Sequence, residues 1–223
     1  MKVVFVAFLA LAVSANAFPQ DYELENREPR IVENTIRRAF EAVSREIRER
    51  GWDPAQIINY ELRTTIQPGV EVWVQIKDSE MHGISNFDVG RVNYNAVTGR
   101  LTIDFGLPRV SVMIGSAAAQ VNHHGDKYDG VLSGTFLLTN LRVIVDARVT
   151  IGITGINFRS LSIDFRHGRI QSNLRLTVQG VDHSNTLNEF LNVVLPRWFL
   201  ENKQAIDKAL SDFFLELIRR ILD

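Results

Sequence analysis

Two histidines and two aspartates crowd one short stretch, His123-His124 with Asp126 and Asp129. Such residues hold a metal when their spacing brings several onto one point. Here they share a single polar loop, Asn122 to Gly130, with no helical spacing and no further ligand close in sequence. The stretch reads as a solvated turn, and no metal site is assigned. His82, His167 and His183 fall at strand ends or turns. Gly130-Val131-Leu132-Ser133-Gly134 lacks the G-x-S-x-G spacing of a strained nucleophile turn, and no base is placed for it. Gly152-Ile153-Thr154-Gly155 ends an alternating pattern instead of opening a helix, so it is no dinucleotide loop. The chain has no cysteine, which removes thiol chemistry and thiolate metal sites. The expectation is a non-enzymatic protein with no catalytic residue, no cofactor and no metal.

Composition narrows the partners. The formal net charge is −1 and there is no basic block, so the chain lacks an electrostatic footprint for nucleic acid. Charge alone would not draw it to an anionic membrane either. Lys2, the apolar run Val3 to Val13, and Ala15-Asn16-Ala17 together read as a secretory signal peptide over 1–17. The remainder, 18–223, reads as one secreted domain large enough to bury its own core. No other segment is apolar for long enough to span a bilayer, so no stable membrane insertion is expected.

The elements that would position any site follow from periodicity. Val32, Ile36, Phe40, Val43 and Ile47 recur at spacings of three and four, which puts them on one helix face. Glu33–Arg37, Glu41–Arg45 and Glu46–Arg50 are expected i,i+4 pairs on the other face, and Gly51 ends the helix. Val70, Val72, Val74 and Ile76 then alternate with polar residues, as in a strand. The apolar frame slips near Ser85-Asn86, which predicts a bulge, and Gly90 suggests a second. The strongest pattern runs from Leu141 to Ile153, where every second residue is apolar. At a rise of roughly 3.3 Å per residue it spans about 40 Å, well beyond an ordinary strand. At the C-terminal end, Ser184 or Asn185 can cap a helix, Pro196 is expected to break or kink it, and an apolar stripe runs from Ile206 to Ile221. A final helix of roughly 25 residues would be about 38 Å long, matching the long strand. The expectation is α+β: a long, highly curved antiparallel sheet wrapped around a long C-terminal helix, with an N-terminal amphipathic helix.

A long one-sided sheet has a large apolar face and few helices to hide it. Either the core packs solid, or an unfilled part forms an apolar groove or tunnel. In the second case the candidate lining residues are Phe87, Val89, Leu101, Ile103, Phe105, Val110, Val112, Ile114, Leu132, Phe136 and Leu138. Trp198, just past Pro196, can floor such a tunnel or anchor the helix.

Gly83-Ile84-Ser85-Asn86-Phe87-Asp88-Val89 resembles the GLSNFxV signature of the insect takeout and haemolymph juvenile-hormone-binding family. Leu101 to Val110 is similar to that family's following strand and proline turn, and Asp129 to Gly134 to its hairpin into the long central strand. Phe199-Leu200-Glu201-Asn202 and the amphipathic stretch after it resemble the closing helix. The family usually carries an N-terminal disulfide, which this chain lacks. In that respect it is also similar to the mite group 7 allergens. Both groups belong to the tubular lipid-binding superfamily, which includes the bactericidal permeability-increasing proteins. The resemblance implies a sheet wrapped on a helix and a partner that is a small apolar ligand, a lipid or terpenoid. The rival expectation is an innate-immune or surface-active protein that binds bacterial lipid or membrane surfaces.

Overall fold

The computed structural model describes residues 29–152 and 155–222. The signal-peptide reading, and the end of the long alternating pattern at Ile153, lie outside those residues. Helix α1, Pro29–Glu49, forms where the sequence periodicity places it, and Val32, Ile36, Phe40, Val43 and Ile47 are all buried. Gly51 follows with a φ of +67°, the left-handed conformation that glycine adopts without a Cβ penalty.

Eight strands follow: β1 Ala55–Gln67, β2 Val70–His82, β3 Asp88–Asn95, β4 Arg100–His123, β5 Asp126–Gly152, β6 Gly155–Arg166, β7 Ile170–Val178 and β8 Val181–Asp182. Neighbours pair antiparallel in one open sheet of order β1-β2-β4-β5-β7-β8, with β3 on β4 and β6 on β5. The alternation that marked Leu141 onward belongs to a longer element, because β5 starts at Asp126 and runs 27 residues. Its partner β4 is 24 residues long. These two strands are the spine, and each serves two sets of neighbours. The first part of β4, Arg100 to Gly106, pairs with β3, while Ser111 to His123 pairs with β2. On β5, Gly130 to Leu138 pairs with β7 and Arg142 to Gly152 with β6. The sheet therefore has two halves: a narrow one of β3-β4-β5-β6 and a wide one of β1-β2-β4-β5-β7-β8.

The halves meet at Pro108 and Asn140. Register runs through from Leu107↔Leu141 to Arg109↔Thr139, and Asn140 takes a positive φ of 50° between them. Apolar parity changes there. Leu101, Ile103, Phe105 and Leu107 are buried before the junction, and Val110, Val112 and Ile114 carry the apolar positions after it. Helix α1 reaches both sets with one stripe, since Phe40 stacks on Phe105 at 4.8 Å between ring centres and Val43 and Ile47 cluster with Val110.

The frame slip at Ser85-Asn86 is a turn between two strands and no bulge: β2 ends at His82 and β3 starts at Asp88. A one-residue bulge and a short turn disturb alternation in the same way, so periodicity alone does not separate them. The second irregularity is where Gly90 suggested it, as a register shift between Val89 and Val92.

The C-terminal segment is helical in pieces. Helix α2, Ser184–Glu189, passes through a π-helical turn, Phe190–Val194, into α3, Leu195–Glu201, and α4 spans Lys203–Leu222. Pro196 comes just after the π-helical turn, and the backbone stays helical up to it, with Val194 at φ −69°, ψ −49° and Leu195 at φ −62°, ψ −46°. The break falls at Asn202 instead, whose backbone leaves the helical region at φ −103°, ψ 14°.

Three helical segments seal three strand edges with polar side chains one turn apart. On α2 and the π-turn, Asn188 accepts from Leu174 N at 2.9 Å and donates to Leu174 O at 2.7 Å, and Asn192 does the same for Ser172 at 2.6 and 3.0 Å. Ser184 completes that row by accepting from Leu176 N at 2.9 Å. On α4, Asp207 and Ser211 accept from Phe165 N and Ile163 N, while Lys203 donates to Phe165 O. On α1, the expected pair Glu33–Arg37 turns to the sheet: Glu33 accepts from Tyr94 N, and Arg37 donates to Val89 O and Gly90 O at the bulge. Of the expected i,i+4 pairs, Glu46–Arg50 forms at 2.5 Å on the exposed face.

Candidate ligand-binding site

The two halves of the sheet bury their apolar faces to different degrees. In the narrow half, Leu101, Ile103 and Phe105 of β4 face Ala147, Val145 and Val143 of β5 in direct register, and all six are buried. Helix α1 adds Val32, Ile36 and Phe40, and α4 adds Phe214 and Ile218, to form one packed cluster. Of the proposed lining residues, Leu101, Ile103 and Phe105 are thus interior members of this cluster, and Phe87 and Val89 pack against it half-buried.

The wide half carries the rest of the proposed set. Cross-strand partners share a face, so register alone builds its apolar rows. Val110 meets Leu138, which meets Ile170, and Val112 meets Phe136. A longer row crosses five strands as Tyr60, Ile76, Ala117, Leu132 and Leu176. Val112, Ile114, Leu132, Phe136 and Leu138 are all half-buried, in contrast to their fully buried counterparts across Pro108. Sequence reasoning missed Ile170 and Leu174 on β7 and Val74 and Ile76 on β2. Their alternation was visible, but only the pairing shows that they border the same face.

The helical run from Ser184 to Glu201 spends its polar face on the β7 edge. Its apolar side chains are correspondingly left out: Phe190, Val194 and Trp198 are each about half exposed, and Leu200 is 73% exposed. Trp198 meets Phe199 edge-to-face at 5.5 Å, so it is a partly wet aromatic beside the Asn202 break. The Ser184/Asn188/Asn192 row was legible as hydrogen-bonding residues four apart, a signal that points to an acceptor and donor ladder on a neighbour.

Two recesses open on the described surface. One of about 270 Å³ lies between the end of β6 and the α3–α4 joint, lined by Phe165, His167, Phe199, Leu200, Lys203 and Ile206 among others. Rings of Phe165, His167 and Phe199 meet there at 5.1 to 6.5 Å. Lys203 Nζ bridges Asp164 at 2.5 Å and Asp207 at 2.6 Å. Burial works against its charge, but these two carboxylates raise its pKa above the ordinary lysine value. The Arg166 hydrogen bond chiefly holds Asp164 below the usual carboxylate range; burial opposes it, and Lys203 adds to the lowering. The second recess, about 650 Å³, is polar and lies over Arg63, Glu71, Trp73, Gln120, Asn122 and Lys127 near the far end of β1 and β2. Neither recess is bounded by any of the twelve residues proposed as lining.

The motif residues converge on a fastening. Asp53, in the link between α1 and β1, accepts from Gly83 N at 2.8 Å, Ser85 N at 2.7 Å and Ser85 Oγ at 2.6 Å. Ser44 of α1 donates to Ser85 O at 2.5 Å, and Ser85 is 1% exposed. Burial raises the Asp53 pKa, but the Ser85 hydroxyl and the two backbone N–H groups outweigh it and lower the pKa overall. Gly83 has a φ of +92°, and a Cβ there would fall 2.0 Å from Arg109 O. So Gly83-Ile84-Ser85-Asn86-Phe87 ties the helix, the link and the β2–β3 turn together, with Phe87 set edge-to-face on Phe40 at 5.6 Å.

The histidine pair lies in the β4–β5 turn, as the polar composition suggested. Its rings meet edge-to-face at 4.7 Å, and His124 N donates to Gly69 O at 2.8 Å, joining this turn to the β1–β2 turn. Among the described residues, no group of three or more His, Asp or Glu is placed to hold a metal, and no helix is long and apolar enough to cross a membrane.

No curated protein is a significant match by sequence. The crystal structure of Takeout 1 from Epiphyas postvittana is similar at a TM-score of 0.39 and 16% identity, over 76% of this chain and 79% of that one. A lipopolysaccharide binding protein is similar at a TM-score of 0.31 and 13% identity, over 82% of this chain and 36% of that one. The family model described as haemolymph juvenile hormone binding protein matches residues 4–223, and the chain belongs to that family.

Proposed function

We propose that this protein is a secreted, non-enzymatic carrier for a small apolar ligand, a lipid or terpenoid, as the family's description suggests. The ligand lies against the wide half of the sheet, on Val110, Val112, Ile114, Leu132, Phe136 and Leu138, beside the half-exposed apolar side of the Ser184 to Glu201 run. The observation that carries this reading is the contrast in burial across Pro108: α1 and α4 seal one apolar face, while Val112, Ile114, Leu132, Phe136 and Leu138 beyond it are only partly buried, although Ile170 and Leu174 on β7 beside them are closed off. Covering such a face with an apolar molecule contributes about 25 cal/mol per Å² removed from water. Trp198, about half exposed and edge-to-face with Phe199, is an amphipathic ring suited to a ligand's more polar end.

Native mass spectrometry of the purified protein, with displacement of an apolar fluorescent probe, tests the reading. A co-purified apolar molecule, or saturable probe binding that Leu132→Asp abolishes and Val97→Asp leaves intact, is the expected result. A ligand-free protein without probe response overturns it. A second reading, binding to lipid surfaces, draws on the exposed Phe190, Val194, Trp198 and Leu200. Sedimentation with neutral vesicles separates the two, because a carrier stays in the supernatant.

A further inference from the structure

Helices close the open edges of β3, β6 and β7 with the polar rows described above. Among the described residues, the outer edge of β1 has no such row: β2 pairs with its other side, and helices pack on β3, β6 and β7. An unprotected edge presents free backbone donors and acceptors that recruit another strand. β1 is 13 residues long and contains no proline, lysine or glycine to blunt it. It is also apolar in the open, with Ile58 79%, Tyr60 49%, Leu62 43% and Ile66 70% exposed.

We infer that β1 is the seam of a homodimer, in which it pairs antiparallel with β1 of a second copy about a two-fold axis at Leu62. Charge complementarity selects both the occupant and the register. Centring the pair on Leu62 sets Glu61 opposite the partner's Arg63, and by symmetry the reverse. Shifting the centre by one residue sets Glu61 against its own copy, or Arg63 against its own copy. The Leu62 register also brings Leu62 against itself and Tyr60 against the partner's Thr64. These residues share the face of Val72, Val74 and Ile76 on β2, so the pairing extends one apolar face across both copies. Within one chain Glu61 already accepts from Arg63 at 3.0 Å and from Trp73 Nε1 at 2.8 Å, which holds its carboxylate at the seam. The six-stranded wide halves then join into one continuous sheet. This interface is independent of the ligand reading.

Analytical ultracentrifugation of the mature chain tests the seam, and β1 is exposed enough that its variants keep the fold, as circular dichroism checks. The wild type is expected to be a dimer. Glu61→Arg puts like charges across the axis twice and weakens dimerisation about tenfold. The double variant Glu61→Arg/Arg63→Glu restores it. Because the chain has no cysteine, Leu62→Cys is expected to give a disulfide-linked dimer under oxidation while Val97→Cys does not. A wild type that stays monomeric at about 100 µM, far above the constants of weak specific interfaces, overturns the inference. So does a dimer that ignores the charge exchange, whether a different face or the chain's own N-terminal segment accounts for the edge.

Discussion

The narrow and wide halves of the sheet share two strands, β4 and β5, yet differ in what their apolar residues do. In the narrow half, Ile103 and Val145 are each 2% exposed under two helices. A few residues further along the same strands, Val112 and Phe136 face each other half-buried. The same two strands pair on both sides of Pro108 with alternating apolar residues, although beyond it their register shifts once, between Ile114 and Ala117. Helix cover makes the difference. Apolar patterning therefore reports which face is dry-seeking, and the count and placement of helices decides whether that face is filled by the protein or left for something else.

The largest expected effect breaks this contrast from the sealed side. Phe105→Ala removes a buried ring held against Phe40, and costs about 3–5 kcal/mol of stability by denaturant titration. Phe136→Ala, across the junction, costs about half as much because its ring is already partly in water, but it removes probe binding. Equal stability losses in the two variants, with probe binding unchanged, would erase the distinction between the halves. Asp53→Asn comes next. It weakens three hydrogen bonds to a carboxylate and costs about 2–3 kcal/mol at pH 7. The pKa of Asp53 is lowered in the folded state, so its contribution is fully present above the unfolded value of 3.8 and is lost as pH falls through the folded one. Denaturant midpoints of wild type and variant should therefore converge on acidification. The smallest effect belongs to the wide half's rim: Asn188→Ala leaves Leu174 N and O unpaired at the β7 edge and costs about 1–2 kcal/mol, read by faster amide exchange on β7.

Much of this fold was legible. The five apolar positions of α1 and the alternation of β2 and β5 all find their expected elements, because one-sided burial imposes its period directly on residue type. The junction at Pro108 was visible only as an interruption. That both strands change apolar parity there while keeping register depends on Asn140, whose conformation leaves no mark in hydropathy. The Ser85-Asn86 turn was hidden for a related reason, since its effect on alternation mimics an inserted residue. Pro196 drew attention away from Asn202, although the helix carries on through Pro196 with a π-helical turn before it and leaves the helical region at Asn202. The candidate site was legible as a list and not as a place. Ile103 and Ile114 read alike in sequence, and only the docking of α1 and α4 separates core from open surface.

The row of Lys203, Asp207 and Ser211 has a consequence for the order in which the molecule is made. It supplies acceptors and a donor to β6 residues 38 to 48 positions earlier in the chain. As the polypeptide emerges, β6 can settle on β5 well before α4 exists, with its outer backbone groups bare. Synthesis thus passes through a window in which a finished strand awaits its guard.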